Sequence, residues 1–230
     1  MFFKKLNFIS ILFLKLSAFL FFIEEILRVN FIYKFLIRKK RILQCTTFSL
    51  KNPDHGGKLR SFFIRKSLRN FYNVETLSFD WRPYEDLNSF DVKISKKLTK
   101  GDLALFGDLL IEDYFEENSH VFKKLAKKIS NFCPNIILLE QPYIWPLIKK
   151  CIKEEVISQN TKIVYSSHNI EFEMKDEIYK KYCSNKDRRL KYLNRIKAME
   201  EEVISNCALA FAVSDNDAEF IKVKYPNKKV

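Results

Sequence analysis

The chain has 230 residues, of which 47% are apolar and 30% are charged, a composition typical of a folded protein. Only 4 glycines and 6 prolines are present, which argues against a sandwich or barrel rich in tight turns. The net charge of +13 is uneven, because residues 1–70 hold 15 Lys and Arg against 3 acids whereas residues 71–230 are close to neutral. A basic end on a near-neutral body predicts a surface that binds anions, either lipid headgroups or nucleic acid.

Residues 1–40 are predicted to form a membrane-associating helical segment. The run "LNFISILFLKLSAFLFFI" (6–23) is apolar except for Lys15, which shares a helical face with Lys4. That arrangement favours a helix lying in the membrane interface, with the lysines reaching the headgroups. A transmembrane span and a buried helix of the domain itself are the alternatives. Because the bases of this region alternate with apolar residues, we expect no nucleic-acid partner.

From residue 41 to residue 230 the pattern changes to alternating strands and helices, which we treat as one domain. Strands are predicted over 41–50, 74–80, 134–141, 161–168 and 208–214. Helices are predicted over 59–71, 119–132 with Ser119 as N-cap, 142–158, 170–183, 186–206 and 215–225. Residues 81–115 are irregular apart from a short helix near 103–115. Short apolar strands separated by helices predict an α/β fold, a Rossmann-like parallel sheet with helices on both faces.

The cysteines and histidines give no metal-ligand spacing. No CxxC or HExxH occurs, and the five cysteines are widely and irregularly spaced, at Cys45, Cys133, Cys151, Cys183 and Cys207. We therefore expect reduced thiols, no metal site and no cofactor.

In a parallel sheet, ligands bind beyond the carboxyl ends of the strands, and the first such end carries "PDHGGKLR" (53–60). The adjacent glycines Gly56 and Gly57 are expected to allow a positive φ and a close backbone approach to a ligand. The following helix offers free N–H groups to an anion, with Lys58 and Arg60 nearby. A tight turn is the structural alternative.

Two later strand ends carry further polar residues. Glu140 and Gln141 end one strand and are placed to grip a hydroxylated ligand, although turn formation is the favoured role. In "SSHNIEFE" (166–173), Asn169 is expected to cap a helix beginning at Ile170, with the glutamates in its first turn. His168 has no such structural role, and an imidazole there could orient or deprotonate a hydroxyl. At the last strand end, "FAVSDNDAEFI", a role in helix capping is sufficient.

In their order and spacing, these stretches resemble the amino-terminal half of family-4-like glycosyltransferases of the GT-B fold. The match covers about residues 41–230. It includes the Gly-Gly loop, the "PNIILLEQ" strand and "SSHNIE". It ends with the charged helix "RRLKYLNRIKAMEEEVISNC" leading into "ALAFAVSDNDAEFI".

The resemblance implies transfer of a sugar from a nucleotide sugar to a glycan or lipid-linked acceptor. His168 matches the position facing the transferred sugar, and Gly56 and Gly57 would lie near the donor diphosphate. Tyr143 and the 51–58 loop would border the acceptor. The predicted binding residues are Gly56, Gly57, Lys58, Arg60, Tyr143, Asn169 and Ser214.

The resemblance stops at "KYPNKKV", about where the family continues into its donor-binding domain. We therefore expect that the chain alone transfers no sugar. Either the sequence is a truncated gene or a fragment, or a separate polypeptide supplies the other half. We also expect it at the cytoplasmic face of a membrane, with an anionic membrane surface as a partner. The alternative function is that of a non-enzymatic, membrane-associated binding or scaffold module with a vestigial cleft.

Overall fold

The computed structural model describes residues 40–80, 90–93 and 106–230. The predicted membrane-associating segment, apart from residue 40, lies outside these residues, as does most of the stretch expected to be irregular. None of the helices in the described part of the chain is both long and apolar enough to cross a membrane.

The described residues form a single parallel sheet of six strands. The strands are β1 (Arg41–Thr46), β2 (Asn73–Asp80), β3 (Asp91–Lys93), β4 (Ile136–Leu139), β5 (Lys162–Ser166) and β6 (Leu209–Phe211). Their spatial order is β3-β2-β1-β4-β5-β6, and every neighbouring pair is parallel. This is the strand order of the Rossmann fold, so the predicted α/β Rossmann-like sheet is confirmed.

Seven α-helices lie in the described part of the chain. They are α1 (Gly56–Leu68), α2 (Leu110–Glu117), α3 (Ser119–Phe132), α4 (Trp145–Lys153), α5 (Glu171–Tyr182), α6 (Lys186–Asn206) and α7 (Asp215–Lys224). A 3-10 turn over Pro142–Ile144 leads into α4, so the helix predicted over 142–158 is shorter and divided.

Both faces of the sheet are buried, as a parallel sheet requires. Along β4 the residues alternate between two apolar clusters: Ile136 and Leu138 pack with Ile64 and Leu68 of α1. Ile137 and Leu139 join the larger cluster on the other face, which contains residues of α2 to α7. This alternation explains why the strands read as continuous apolar runs, and it confirms helices on both faces.

Three local predictions were wrong. The strand β3 was missed because it is only three residues long and pairs with β2 alone. Ser119 is the first residue of α3 and not its cap; Asn118 precedes it and makes no side-chain capping bond. The glycine pair belongs to α1 itself, because the helix begins at Gly56 and not at residue 59.

Candidate functional site

The sheet order places a topological switch point between β1 and β4. The chain runs outward from β1 through β2 to β3 and then returns to β4 on the other side of β1. The connections leaving the carboxyl ends of β1 and β4 therefore diverge, which opens a crevice typical of ligand sites in such sheets. Glu140, which directly follows β4, lies at this point, and its backbone N–H continues the ladder to Cys45 O at 3.1 Å.

The Glu140 carboxylate is fully buried and surrounded by donors. Oε1 accepts from Gln44 Nε2 at 2.6 Å. Oε2 accepts from Ser61 Oγ at 3.0 Å and Arg60 Nη1 at 3.3 Å, and lies 2.9 Å from His168 Nε2. We call these five residues the switch-point cluster: they come from β1, α1, the end of β4 and the loop after β5.

The surroundings of Glu140 keep it ionised. Burial by itself raises its pKa. The hydrogen bond with His168, the positive charge of Arg60 and the hydrogen bond from Gln44 outweigh burial, and the net pKa lies below the usual value. Because an ionised carboxylate only accepts hydrogen bonds, the proton between Glu140 and His168 is assigned to His168 Nε2.

This assignment leaves Nδ1 as an acceptor in the neutral form of the His168 ring, and that nitrogen lies over Gly57. A Cβ built at Gly57 would lie 3.1 Å from Nδ1, whereas nothing lies within 4 Å of one built at Gly56. Gly57 therefore permits the close approach of His168 to the first turn of α1. The expected positive φ was wrong, since neither glycine has one; the close backbone approach to a ligand stays a prediction.

The amino terminus of α1 adjoins the cluster. His55 is its N-cap, with Nδ1 accepting from Lys58 N at 3.4 Å. Phe48 packs against this end, its ring centroid 5.4 Å from that of His55 and 6.1 Å from that of His168. The first backbone N–H groups of a helix lack partners within the helix and attract anions. The amino terminus of a helix and an imidazole thus share one corner of the molecule.

The two predicted cations of this region interact with internal partners. Lys58 is buried and its ammonium pairs with Asp54 at 2.8 Å. Arg60 donates to Ser166 Oγ at 2.9 Å as well as to Glu140, and so ties α1 to β5. Burial lowers the pKa of Arg60, and the charge of Glu140 opposes that shift. Arg60 thus holds the cluster together.

The other three predicted binding residues make no contact with the Glu140 carboxylate. Tyr143 is buried and donates its hydroxyl to Glu171 Oε2 at 2.8 Å. Ser214 caps α7 by accepting from Asp217 N at 3.1 Å, as expected of its position. Asn169 does not cap α5, which begins at Glu171, and its amide instead points at Met174 Sδ, 3.4 Å away.

The cap of α5 comes from a distant helix. Glu200 of α6 is 1% exposed and accepts from Glu171 N at 2.9 Å and from Phe172 N at 3.1 Å. It also accepts from the Tyr165 hydroxyl at 3.0 Å. The prediction that Glu171 and Glu173 lie in the first turn of α5 is confirmed.

Sequence reasoning missed three members of the cluster as site residues. Glu140 was considered as a group that could grip a hydroxylated ligand, but a structural role was favoured and it was left out of the predicted binding residues. Gln44 had a visible signal, because a side-chain amide inside an otherwise apolar strand must find a partner. Ser61 had no signal, because a serine in a helix is unremarkable in sequence.

Within residues 40–80, 90–93 and 106–230, no three metal-ligating side chains come together. All five cysteines are free thiols, and only Cys133 is exposed. Comparison of the chain with models of protein families and with curated proteins gave no match.

Proposed function

We propose that this chain is the acceptor-side half of a glycosyltransferase of the GT-B type, working at the cytoplasmic face of a membrane. The observation that carries the proposal is the contact of 2.9 Å between His168 and the ionised Glu140 at the switch point of the sheet. The resemblance in sequence selects this reaction among those that a Rossmann-like sheet supports, since the fold alone hosts many chemistries.

In this proposal His168 contacts the reacting sugar or the acceptor hydroxyl. Its Nε2–H is held by Glu140, which fixes the orientation of the ring, and the opposite nitrogen accepts a hydrogen bond or a proton from the hydroxyl. If the imidazole gains that proton, the adjacent carboxylate stabilises the positive charge, as the third member of a catalytic triad does. Arg60, which is partly buried, and Ser61, which is buried, are positioning residues, because they act through Glu140.

The amino terminus of α1 binds the diphosphate of the donor in this proposal. The backbone N–H groups of Gly56 and Gly57 supply donors, and the helix dipole favours the negative charge that grows on the leaving group. The absence of a side chain at Gly57 lets the imidazole and the phosphate share this corner.

A direct test is transfer of labelled sugar from UDP- and GDP-sugars to a lipid extract, with a donor-binding half supplied as a second polypeptide. His168→Ala is expected to lower the rate by about 100-fold or more, the usual size of a general acid–base contribution. His120→Ala is the matched control, because His120 is exposed on α3. Equal rates for the two variants would remove His168 from the mechanism.

A binding test needs no second polypeptide. Pyrophosphate added to the full chain is expected to shift the amide resonances of Gly56 and Gly57, and the same titration of Gly57→Ala should give a weaker effect. Shifts spread evenly over the basic surface would contradict a diphosphate site at α1.

The alternative of a non-enzymatic binding or scaffold module is favoured by one observation. The cations closest to the candidate site have internal carboxylate partners, Lys58 with Asp54 and Arg60 with Glu140. A purely structural cluster would have that appearance. The two candidates differ in the effect of His168→Ala, which in a scaffold changes stability and leaves no activity to lose.

A further inference from the structure

Helix α1 carries apolar residues on two opposite faces. Ser61, Ile64 and Leu68 are buried against the sheet. The outward face consists of residues spaced i, i+3, i+4 and i+7, which lie on one side of a helix; they are Leu59, Phe62, Phe63 and Lys66. On this face Leu59 and Phe63 are 41% and 43% exposed.

The outward face is aromatic and basic together. The rings of Phe62 and Phe63 meet edge to face, with centroids 5.6 Å apart. The guanidinium of Arg65 lies over the Phe62 ring at 5.5 Å from its centroid. Single exposed apolar residues are ordinary on protein surfaces, but a contiguous group of them marks a contact surface.

The charges around this face have one sign. Between Asp54 and Glu75 the chain contains five Lys and Arg and no acid. Two of these bases pair with carboxylates of the chain, Lys58 with Asp54 and Arg60 with Glu140. The remaining three are Arg65, Lys66 and Arg69, and they occur at or near the outward face. Apolar side chains bordered by bases complement an anionic lipid surface, which offers hydrocarbon below a layer of phosphates.

A basic recess continues this surface beyond the carboxyl end of α1. It has a volume of about 950 Å³. Lys40, Arg41 and Arg69 line it, with Glu75 as the one acid among its lining residues. The Nε–H of Arg41 is enclosed and no described residue accepts a hydrogen bond from it. The recess is large enough for a lipid headgroup, and it meets the carboxyl end of α1 at Arg69.

We propose that the outward face of α1 docks on an anionic membrane surface, with Leu59 and Phe63 entering the interface and the neighbouring bases contacting phosphates. This contact belongs to the folded body and is separate from any contact made by residues 1–39. A helix of 13 residues is about 20 Å long, and its amino terminus adjoins the switch-point cluster. Because the cluster lies on the opposite side of α1, docking would hold it about one helix diameter, roughly 10 Å, from the membrane surface. Its use of a lipid-linked acceptor rests on the proposed function.

The test places an environment-sensitive fluorophore on a single exposed cysteine of the full chain, the four other native cysteines being buried. Cys133→Ser removes the exposed native thiol, and Phe63→Cys then supplies the labelling position. Val223→Cys in the same background is the matched control, because Val223 is 72% exposed on α7. Vesicles of phosphatidylcholine with and without phosphatidylglycerol are the probes, and quencher-bearing lipids report depth.

With anionic vesicles, the emission of the dye at position 63 should shift to the blue and be quenched by the quencher-bearing lipids. The emission of the dye at position 223 should do neither. Added salt should reverse the effect at position 63. Leu59→Ser combined with Lys66→Glu should weaken vesicle partitioning by about tenfold. A protein bound to vesicles with position 63 still in water would overturn the proposal and assign binding to residues 1–39. A blue shift on adding only a second polypeptide would overturn it in favour of protein docking.

Discussion

Replacing Glu140 by Gln is the sharpest test of the switch-point cluster, because it removes one charge and almost no volume. In the wild type, Gln44, Arg60 and Ser61 all donate hydrogen bonds to the Glu140 carboxylate. The amide of the variant offers them one acceptor oxygen where the carboxylate has two. If the amide oxygen stays toward Arg60 and Ser61, the NH₂ group faces Gln44, which must turn its own amide. The main loss is the counter-charge of Arg60, whose side chain is 16% exposed.

Breaking a buried ion pair by removing one partner costs about 3–5 kcal/mol. Arg60 keeps some contact with solvent and keeps Ser166 as an acceptor, so we expect about 2–3 kcal/mol. With a urea m-value of about 2 kcal/mol per molar, the unfolding midpoint should fall by roughly 1–1.5 M. The combined change with Arg60→Met should cost less than the sum of the two single changes, because the partners lose the same interaction.

The pH dependence of folding stability is a second, independent test of the ion pair between Arg60 and Glu140. The folded pKa of Glu140 is lowered, so its contribution to stability is present above the unfolded value, about 4.3, and is lost as the pH falls through the folded pKa. The stability gap between wild type and Glu140→Gln should therefore be constant near neutrality and should close in acid. Glu154→Gln is the control, an equal change of charge at an exposed position. A midpoint at pH 7 equal to that of wild type would refute the ion pair.

Three further predictions concern the surroundings of the cluster. Gly56→Ala should stabilise the protein by up to about 1 kcal/mol through helix propensity. Gly57→Ala should lack that gain and should shift the NMR resonances of the His168 ring, because its Cβ would meet that ring. Equal effects of the two variants would contradict the contact between position 57 and His168. Ser214→Ala should cost about 1 kcal/mol through loss of the α7 cap, measured by urea unfolding, and an unchanged midpoint would contradict the capping bond. Burial raises the pKa of Glu171 to about 7, so wild type should lose about 3 kcal/mol of stability as the pH rises from 4.5 to above 7. Glu171→Gln should lack that loss, and parallel pH–stability curves for the two proteins would contradict it.

The sheet was largely predictable from sequence because its central strands are buried on both faces. In a run such as "IILL" of β4, successive apolar side chains point to opposite faces of the sheet, so all of them are buried only if both faces are covered. The strand β3 could not be predicted on that ground. Its sequence, Asp-Val-Lys, is too short to show a period, and only its pairing with Ser78 to Asp80 makes it a strand.

The sequence indicated that His168 and the glycine pair lie at strand ends, but it did not indicate which residues contact each other in the candidate site. His168 and the glycine pair were found because they follow predicted strands. Glu140 and His168 are 28 residues apart, and only the adjacency of β4 and β5 brings them together. The prediction of the residue that caps α5 was wrong for the same reason. Asn169 is the local candidate, but the carboxylate of Glu200, 29 residues beyond Glu171, takes the place.

The loop that carries His168 is held at both ends, and this determines how its variants should be interpreted. On one side Ser167 N donates to Phe211 O at 2.8 Å. On the other, Glu171 N donates to Glu200 at 2.9 Å. Neither bond uses the imidazole, so His168→Ala should leave the loop in place while it removes the ring from Glu140. Activity lost in that variant, with the fold intact, would then report the chemistry of the imidazole itself.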